Sequence, residues 1–267
     1  MKSIGGIGLA DVRNVYSGPE GALWKLIMGE QIHIGGMSSS LDLAERAGIQ
    51  PGSTGIDLCC CLGAGMRFLV RFRSVGRMIG VDATSAVVDE GRRISRQEHL
   101  EGRIEFVLAD VLSSGLPDAS ADFVWGEDAW CYVTDKPRLI AEAARMVRTG
   151  GVVAFTDWVE GPTPLSASEA DRFLRFMKFP SIEDAAGYAA LLKKSGCSVT
   201  AAEYTDRFAP YVDLYLKMLN EQLTYDALKI IGFDAQLMQW MAGEMRFMQG
   251  LAHAGKIAQG LFVARKI

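Results

Sequence analysis

The sequence has few cysteines, no excess of positive charge and no long apolar run, and each shortage excludes a class of protein. Its five cysteines are an odd number with three adjacent, which does not suit a disulfide framework. A formal net charge of -4 gives no basic surface for nucleic acid. No run of about 18 uncharged apolar residues is present, and the opening MKSIGGIGLADVRNVYSG lacks the features of a secretory signal. We therefore expect a cytoplasmic protein with reduced thiols that binds neither nucleic acid nor membrane.

The three adjacent cysteines, Cys59 to Cys61, also make a poor metal or redox site. Neighbouring side chains at a strand end point to opposite faces, so three thiols cannot all face one ion, and no C-x-x-C or paired histidine is present. A redox thiol would need exposure and a low pKa, whereas these residues directly follow a predicted buried strand. We expect no metal centre.

Short apolar runs alternate with longer segments of helical period between Thr54 and Arg207. We predict strands at TGIDLC, RMIGVD, RIEFVLAD, ADFVWG, GVVAFTDW and SVTAAEYT, and a last strand at AQGLFVARK. Helices are predicted over residues 66–73, 85–98 with Ser85 as the cap, 136–147 and 182–194. This order predicts an α/β fold with a Rossmann-like, seven-stranded, mostly parallel sheet and helices on both faces.

Two regions interrupt the alternation, and we expect both to cover the carboxyl edge of the sheet. Residues 1–50 contain a capped helix at GMSSSLDLAERAG, and residues 209–255 contain the amphipathic segments YVDLYLKMLNEQL and AQLMQWMAGEMRFMQGLAH. The predicted organisation is an N-terminal helical cover over residues 1–50, a core over 51–208, a helical cap insertion over 209–255 and a final core strand over 256–267.

Acidic residues follow the predicted strands at the edge where such sheets bind ligands. Asp57 precedes the turn CCCLGAG, Asp82 and Asp110 end the next two strands, and Glu127 and Asp128 follow the fourth. A close turn, an acid about 25 residues later that can bind a ribose diol, and a further acid indicate a nucleoside site. The turn lacks both the dinucleotide pattern G-x-G-x-x-G and the P-loop G-K-[ST], which favours a cofactor without phosphate.

The segments GIDLCCCLGAG, IGVDAT, FVLADVL and GGVVAFTDW resemble the motifs of class I S-adenosylmethionine-dependent methyltransferases. GEQIHIGGM, DLCCCLGAGMRFLV, EDAWCYVTDKPRLIAEAARMVRTGGVVAFTD and GKIAQGLFVARK resemble more closely the sarcosine/dimethylglycine N-methyltransferases and, more loosely, phosphoethanolamine and tocopherol methyltransferases. The resemblance implies S-adenosylmethionine as cofactor and methyl transfer to a small-molecule acceptor.

The resemblance also implies a set of cofactor-binding residues. Asp82 would accept hydrogen bonds from the ribose, Asp110 and the Val111 amide would bind the adenine, and Glu127 would lie near the methionine end. Cysteine replaces glycine at two of the three glycine positions of the first motif, and cysteine is small enough for the turn to survive. The full implied set is Asp57, Cys59, Cys61, Gly63, Arg67, Asp82, Ala83, Asp110, Val111 and Glu127.

Three residues are predicted to act in methyl transfer. Asp128 matches an acid that related enzymes place beside the substrate amine, and Tyr132 stands where phosphoethanolamine and dimethylglycine relatives have a histidine. His33 is a candidate base or substrate contact, with a surface or core histidine as the alternative. The candidate substrate-binding residues are Gln31, Trp130, Tyr211, Tyr215 and Trp240, with Tyr16 and Trp24 as further pocket walls; the alternative is that these aromatics pack a core.

The leading hypothesis is N-methylation of a small amine or amino acid such as sarcosine or dimethylglycine. The alternatives are O- or C-methylation of a small natural product, and a catalytically inactive protein that binds S-adenosylmethionine. NAD-linked oxidoreduction ranks last because the glycine spacing of the turn is wrong. The sequence leaves the oligomeric state open between monomer and homodimer.

Overall fold

The structure, a computed structural model, describes residues 1–267. Its strands are β1 Lys2–Ser3, β2 Thr54–Leu58, β3 Arg77–Asp82, β4 Ile104–Leu108, β5 Ala121–Glu127, β6 Val147–Glu160, β7 Ser181–Ile182, β8 Cys197–Tyr204 and β9 Ile257–Lys266. Its helices are α1 Leu9–Ser17, α2 Pro19–Met28, α3 Gly36–Ala47, α4 Ala64–Phe72, α5 Ser85–Gln97, α6 Lys136–Met146, α7 Ala167–Met177, α8 Ala185–Lys194, α9 Phe208–Glu221, α10 Thr224–Ile230 and α11 Ala235–His253, with a 3-10 turn at Trp130–Tyr132.

Seven strands form one sheet in the order β4-β3-β2-β5-β6-β9-β8. The pairs from β4 to β6 are parallel, and β9 runs antiparallel to both of its neighbours. The strand order reverses beside β2, because β3 and β4 lie on one side of it and β5 and β6 on the other. This reversal leaves a crevice at the carboxyl ends of β2 and β5, where open α/β sheets bind ligands.

Apolar clusters cover both faces of the sheet, and a third lies among the outer helices. Leu139 of α6 and Tyr188 of α8 pack on one face, whereas Leu43 of α3 and Leu69 of α4 pack on the other. The third cluster joins α7, α9 and α11, and α2 packs against α9 and α10. These layers confirm the predicted seven-stranded, mostly parallel fold with helices on both faces.

The structure corrects two local predictions. Thr84, not Ser85, is the residue that precedes α5, and its side chain makes no capping hydrogen bond. The prediction also omitted α7, although Ser166 and Glu169 form a reciprocal capping box at its start, a signal that the sequence carries as S-x-x-E. None of the helices combines the length and apolar character that crossing a membrane requires.

A buried polar network inside the fold positions the segment that follows β5. The carboxylate of Asp157 on β6 accepts hydrogen bonds from the Cys131 amide at 2.9 Å and the Tyr188 hydroxyl at 2.5 Å. The fully buried ammonium of Lys136 donates to the carbonyls of Cys131 at 3.2 Å and Val133 at 2.8 Å. Because these bonds hold the backbone on both sides of residue 132, they set the position of that side chain.

Asp157 should make the stability of the protein depend on pH. Burial raises the pKa of Asp157 to about 6, although Lys136 opposes the shift. Between pH 4 and 6 the folded protein therefore keeps a proton on Asp157 that the unfolded chain has released. The stabilisation of the folded state by this proton is complete below pH 4 and is lost as the pH rises through 6. We expect the free energy of unfolding of the wild type, relative to Asp157→Asn, to fall by about 3 kcal/mol over this range. Urea unfolding of both proteins from pH 4 to 7 measures it, and a constant difference would contradict it.

Candidate active site

A cavity lies at the carboxyl ends of β2 to β5, under α1 and the segment 30–33. Its floor comes from the strand ends and the turn after β2, and its roof from the N-terminal helices. Most of the predicted site residues meet here, although they are far apart in sequence. Those that line the cavity are Gln31, His33, Asp57, Cys59, Cys61, Asp82, Ala83, Asp110, Val111, Glu127 and Tyr132.

The turn after β2 has the backbone conformation of a glycine-rich loop although it contains cysteine. Cys59, Cys61 and Gly63 have φ angles of 63°, 45° and 75°. These are the three positions that the sequence resemblance assigns to glycine. Left-handed backbone costs a non-glycine residue roughly 1–2 kcal/mol, so the two cysteines keep the turn at the expense of strain.

Glycine at either cysteine position should therefore stabilise the protein. Removing the strain outweighs the entropy that glycine loses on folding, so we expect Cys59→Gly and Cys61→Gly each to raise the free energy of unfolding by up to about 1 kcal/mol. Cofactor affinity, measured by calorimetry, should stay unchanged.

Cys60→Gly is the matched control for this prediction. Cys60 has no positive φ, is 6% exposed and packs in the core beside Met66, so its loss should destabilise the protein by about 1 kcal/mol. Urea unfolding of the three variants separates the two effects. Equal destabilisation by all three substitutions would show that the thiols of Cys59 and Cys61 carry a role of their own.

The thiols of this turn are poorly suited to react as thiolates. Burial, followed by the charge of Asp82, raises the pKa of Cys61 to about 12. The same two causes raise the pKa of Cys59 and Cys60 well above the usual value. Since the thiolate is the nucleophile and the metal ligand, all three remain protonated and unreactive at neutral pH. The residues described contain no group of three or more histidine, cysteine, aspartate or glutamate side chains placed to hold a metal ion.

Three carboxylates, Asp57, Asp82 and Glu127, face one another across the floor of the cavity. Burial and then the charges of Glu127 and Asp82 raise the pKa of Asp57 well above its usual value. Asp57 is only 4% exposed, and its carboxylate accepts no hydrogen bond from a protein donor. A buried carboxylate without a donor costs free energy, and a cationic group of a ligand would remove that cost.

Asp82 and Asp110 are held by backbone amides at the ends of their strands. Asp82 accepts hydrogen bonds from the amides of Thr84 at 2.9 Å and Cys61 at 3.0 Å, which join the ends of β2 and β3. Burial raises the pKa of Asp82, and these amide donors partly offset the shift. Asp110 accepts from the Leu112 amide at 2.9 Å. Each carboxylate keeps free lone pairs that can accept from a ligand in the cavity.

His33 and Glu127 form a polar pair at the inner end of the cavity. Nε2 of His33 lies 3.4 Å from Oε1 of Glu127 and 3.3 Å from Oγ of Ser40, and the Ser40 hydroxyl donates to Glu127. Nδ1 of His33 faces the Ile34 carbonyl at 3.4 Å, and Gln31 donates to Ser40 at 3.3 Å. A proton on Nε2 would therefore find two oxygen acceptors. Sequence analysis missed Ser40, because a serine inside an amphipathic helix carries no motif.

Two tyrosines, Tyr16 from α1 and Tyr132 from the 3-10 turn, close the side of the cavity. Their rings meet edge to face with centroids 5.5 Å apart, and Tyr132 also packs edge to face on Phe179 at 4.8 Å. Burial raises the pKa of both phenols, so both stay neutral and can donate hydrogen bonds. Tyr132 thus reaches the cavity, at the position where the sequence resemblance implies a histidine.

Asp128 lies outside the cavity, which corrects its predicted contact with the substrate amine. Its φ of 50° turns the side chain away from Glu127 and into the protein, where it is 5% exposed. There it accepts hydrogen bonds from the Ile34 amide at 2.8 Å and from Nε2 of Gln259 at 2.9 Å. The carboxylate therefore fastens the segment that carries His33 onto β9.

Asp128→Asn should affect stability more than chemistry. An asparagine amide would present N–H groups to the Gln259 amide and lose the charged acceptor of Ile34, at a cost of about 1–3 kcal/mol in the free energy of unfolding. We expect kcat to stay within about threefold of the wild type, since the Asp128 carboxylate does not line the cavity. Urea unfolding and steady-state kinetics measure both quantities. A fully stable variant with no turnover would restore the amine-anchoring role.

Trp130 belongs to the core, which corrects the predicted aromatic cage. It is fully buried, its ring stacks on Phe155 at 4.0 Å, and its indole N–H donates to the Leu58 carbonyl at 3.2 Å. Because the Trp130 side chain is fully buried and its N–H group already has an acceptor, none of its surface is available to a ligand. The alternative interpretation, that this aromatic packs a core, is the one that the structure supports.

Five further predicted residues do not line the cavity. Arg67 is buried and donates to the Leu62 carbonyl at 2.6 Å and to the Glu30 carboxylate at 2.6 Å, so it ties the turn to the cover. Gly63 directly precedes α4, and a Cβ at this position would lie 2.5 Å from the Phe106 ring. Tyr211 and Tyr215 of α9 contact each other at 5.9 Å and line no part of this cavity. Trp240 lies in a separate cavity.

Sequence comparison finds similarity to known methyltransferases. Residues 56–155, which are 100 of the 267 residues, match the family model described as a methyltransferase domain. Phosphoethanolamine N-methyltransferase 1 of Zea mays is 24% identical over 248 residues, which cover 88% of this chain and 46% of that protein. The chain therefore spans less than half the length of this curated relative.

Two solved structures share the fold over nearly the whole chain. A Galdieria sulphuraria protein assigned by name to the sarcosine dimethylglycine methyltransferases has a TM-score of 0.78 at 21% identity, covering 93% of this chain and 98% of that one. Haemonchus contortus phosphoethanolamine N-methyltransferase 2, solved with phosphomonomethylethanolamine and S-adenosylhomocysteine, has a TM-score of 0.83 at 18% identity, covering 95% and 58%. Residues 56–155 therefore match a methyltransferase domain, and the chain shares the fold of these two methyltransferase structures.

Proposed function

We propose that this chain transfers a methyl group from S-adenosylmethionine to a small molecule. The observation that carries the proposal is the carboxylate floor of the cavity, in which the buried Asp57 lacks a protein donor beside Glu127 and Asp82. A nucleoside that carries an amino group and a sulfonium, and no phosphate, matches both the acids and the absence of any lysine or arginine from the lining.

Residues at the ends of different strands would bind different parts of the cofactor. In this proposal Asp82 accepts hydrogen bonds from the ribose hydroxyls, and Asp110 with the Val111 amide binds the adenine edge. Asp57 and Glu127 bind the cationic methionine end. The support is that all five residues line one cavity. When bound, the cofactor supplies a methyl group activated by the positively charged sulfur.

The chain itself contributes positioning, exclusion of water and a place for a proton. Methyl transfer is an in-line displacement, so holding the acceptor atom close to the methyl carbon supplies most of the acceleration. Tyr16 and Tyr132 close the cavity side, and His33 with Glu127 can receive the proton that an amine acceptor loses.

An amine is the acceptor that we propose within this function. The support is the imidazole and carboxylate of His33 and Glu127 at the inner end of the cavity, because an acceptor nitrogen must be neutral to attack. Asp128 and Trp130 no longer support it, since neither lines the cavity. O- and C-methylation remain the alternatives that an acceptor panel distinguishes.

Calorimetry and an acceptor panel test the proposal. S-adenosylmethionine should bind the purified chain in the micromolar range or tighter, and an intact folded protein that does not bind it would overturn the proposal. Production of S-adenosylhomocysteine with amines, phenols and prenyl carbons then identifies the acceptor atom. Cofactor binding without turnover on any acceptor would favour the alternative of a catalytically inactive binding protein.

A further inference from the structure

A second cavity lies inside the helical cap, between α2, the end of α7, and helices α9, α10 and α11. Its lining is apolar apart from Glu20 and Asn220, and includes Leu23, Ile27, Leu216 and Met245. A well-packed apolar cluster contains few voids larger than a water molecule, so a cavity here indicates space for an apolar ligand.

The two cavities lie on neighbouring sides of α1. On α1, Tyr16 lines the cofactor cavity whereas its neighbour Val15 lines the cap cavity. Tyr132 lines the cofactor cavity and packs against the same apolar cluster that contains Ile27 and Met245. The cap cavity therefore lies next to the cofactor cavity.

The charges around both cavities disfavour an anionic acceptor. No lysine or arginine lines either cavity, and the charged residues that do are acids, among them Glu20 in the cap and Glu30 at the rim of the cofactor cavity. A carboxylate or phosphate in the cap cavity would thus be desolvated without a lysine or arginine partner, beside Glu20. An amine with an apolar body carries no negative charge, so it neither buries an unpaired anion nor is repelled by the acidic residues.

The mouth of the cap cavity is apolar as well. Leu237 and Trp240 of α11 line the cavity, yet they are 37% and 53% exposed. Large apolar side chains at the rim of an apolar cavity are typical of an entrance for a lipophilic ligand.

We infer that the cap cavity binds the body of the methyl acceptor, and that this acceptor is a lipophilic amine without carboxylate or phosphate. The inference rests on the proposed function and narrows it. It disagrees with sarcosine and dimethylglycine as acceptors, since each carries a carboxylate. The apolar body occupies the cap cavity, and the amine lies past Tyr16 and Tyr132 beside His33.

The uncharged dye N-phenyl-1-naphthylamine, which fluoresces in apolar surroundings, tests the site directly. We expect saturable binding to the wild type, and about tenfold weaker binding to Leu237→Asp and Trp240→Asp, because each places a charge at the mouth. Leu214→Asp is the matched control, since Leu214 is 45% exposed on α9 and lines neither cavity. Its dye affinity should equal that of the wild type.

Competition with a matched pair of amines then tests the acceptor class. N-methyloctylamine and sarcosine are both N-methyl secondary amines, and differ in carrying an alkyl chain or a carboxylate. We expect N-methyloctylamine to displace the dye and sarcosine to leave it bound. Absent dye binding, equal affinity in the mouth variants, or displacement by sarcosine would each overturn the inference. S-adenosylmethionine binding, measured separately by calorimetry, tests the proposed function, so the two failures are distinguishable.

Discussion

Asp82→Asn should weaken S-adenosylmethionine binding by about 100-fold, which corresponds to about 2.7 kcal/mol. The carboxylate of Asp82 uses both oxygens on the amides of Cys61 and Thr84, and its remaining lone pairs face the cavity. An asparagine of the same size places an N–H₂ group against one of these amides and removes the charged acceptor for the ribose. Hydrogen bonds to charged groups contribute about 1.5–3 kcal/mol each.

Asp89→Asn is the matched control for this loss of affinity. Asp89 lies on α5, seven residues after Asp82, and its side chain is 72% exposed, so the same substitution there touches no cavity. Isothermal titration calorimetry of both variants gives the comparison, with urea unfolding to verify that each is folded. If Asp82→Asn binds S-adenosylmethionine as tightly as Asp89→Asn, the ribose is bound elsewhere.

His33→Gln should lower kcat about 100-fold while the dissociation constant of S-adenosylmethionine stays within about threefold of the wild type. Glutamine keeps the approximate size and can still donate to Glu127, but it cannot take up a proton from the acceptor. The effect should appear in kcat, because the bound acceptor amine must lose its proton before its nitrogen can attack the methyl carbon. Single-turnover kinetics with N-methyloctylamine measures the step apart from product release.

The pH profile distinguishes a proton acceptor from a residue that only shapes the cavity. If His33 takes the proton, the deficit of His33→Gln should shrink as the pH rises, because more of the acceptor amine is then already neutral. Glu127→Gln should show part of the same loss, since Glu127 faces Nε2 of His33 at 3.4 Å. A deficit that stays constant from pH 7 to pH 9 would contradict the role of His33 as a base.

The alternation of apolar runs and helical segments was enough to predict the sheet and its ligand-binding edge. Strand β3 begins and ends where the sequence pattern places it, and Asp57, Asp82, Asp110 and Glu127 meet at one cavity. The reason is that buried parallel strands need continuous apolar runs, and their carboxyl ends share one edge of the sheet. The sequence pattern did not predict the side-chain directions of the residues that directly follow β5.

Glu127 and Asp128 are adjacent in sequence, yet only Glu127 faces the cavity. Left-handed backbone at Asp128 directs its side chain to Ile34 and Gln259, which lie 94 and 131 residues away along the chain. Trp130 turns into the core for a similar reason, because Phe155 and the Leu58 carbonyl offer a stacking partner and an acceptor. Irregular segments lack a period, so no local pattern indicates which way their side chains point.

The sequence by itself determined the sheet, the acidic strand ends, and the turn whose glycine positions hold cysteine, since these depend on residue periodicity and on motif spacing. Only the tertiary structure decided that Cys59 and Cys61 keep left-handed backbone, that Asp128 fastens the segment of His33 to β9, and that the cap contains an apolar cavity. Those features arise from contacts between segments far apart along the chain, where packing and burial choose each side-chain direction.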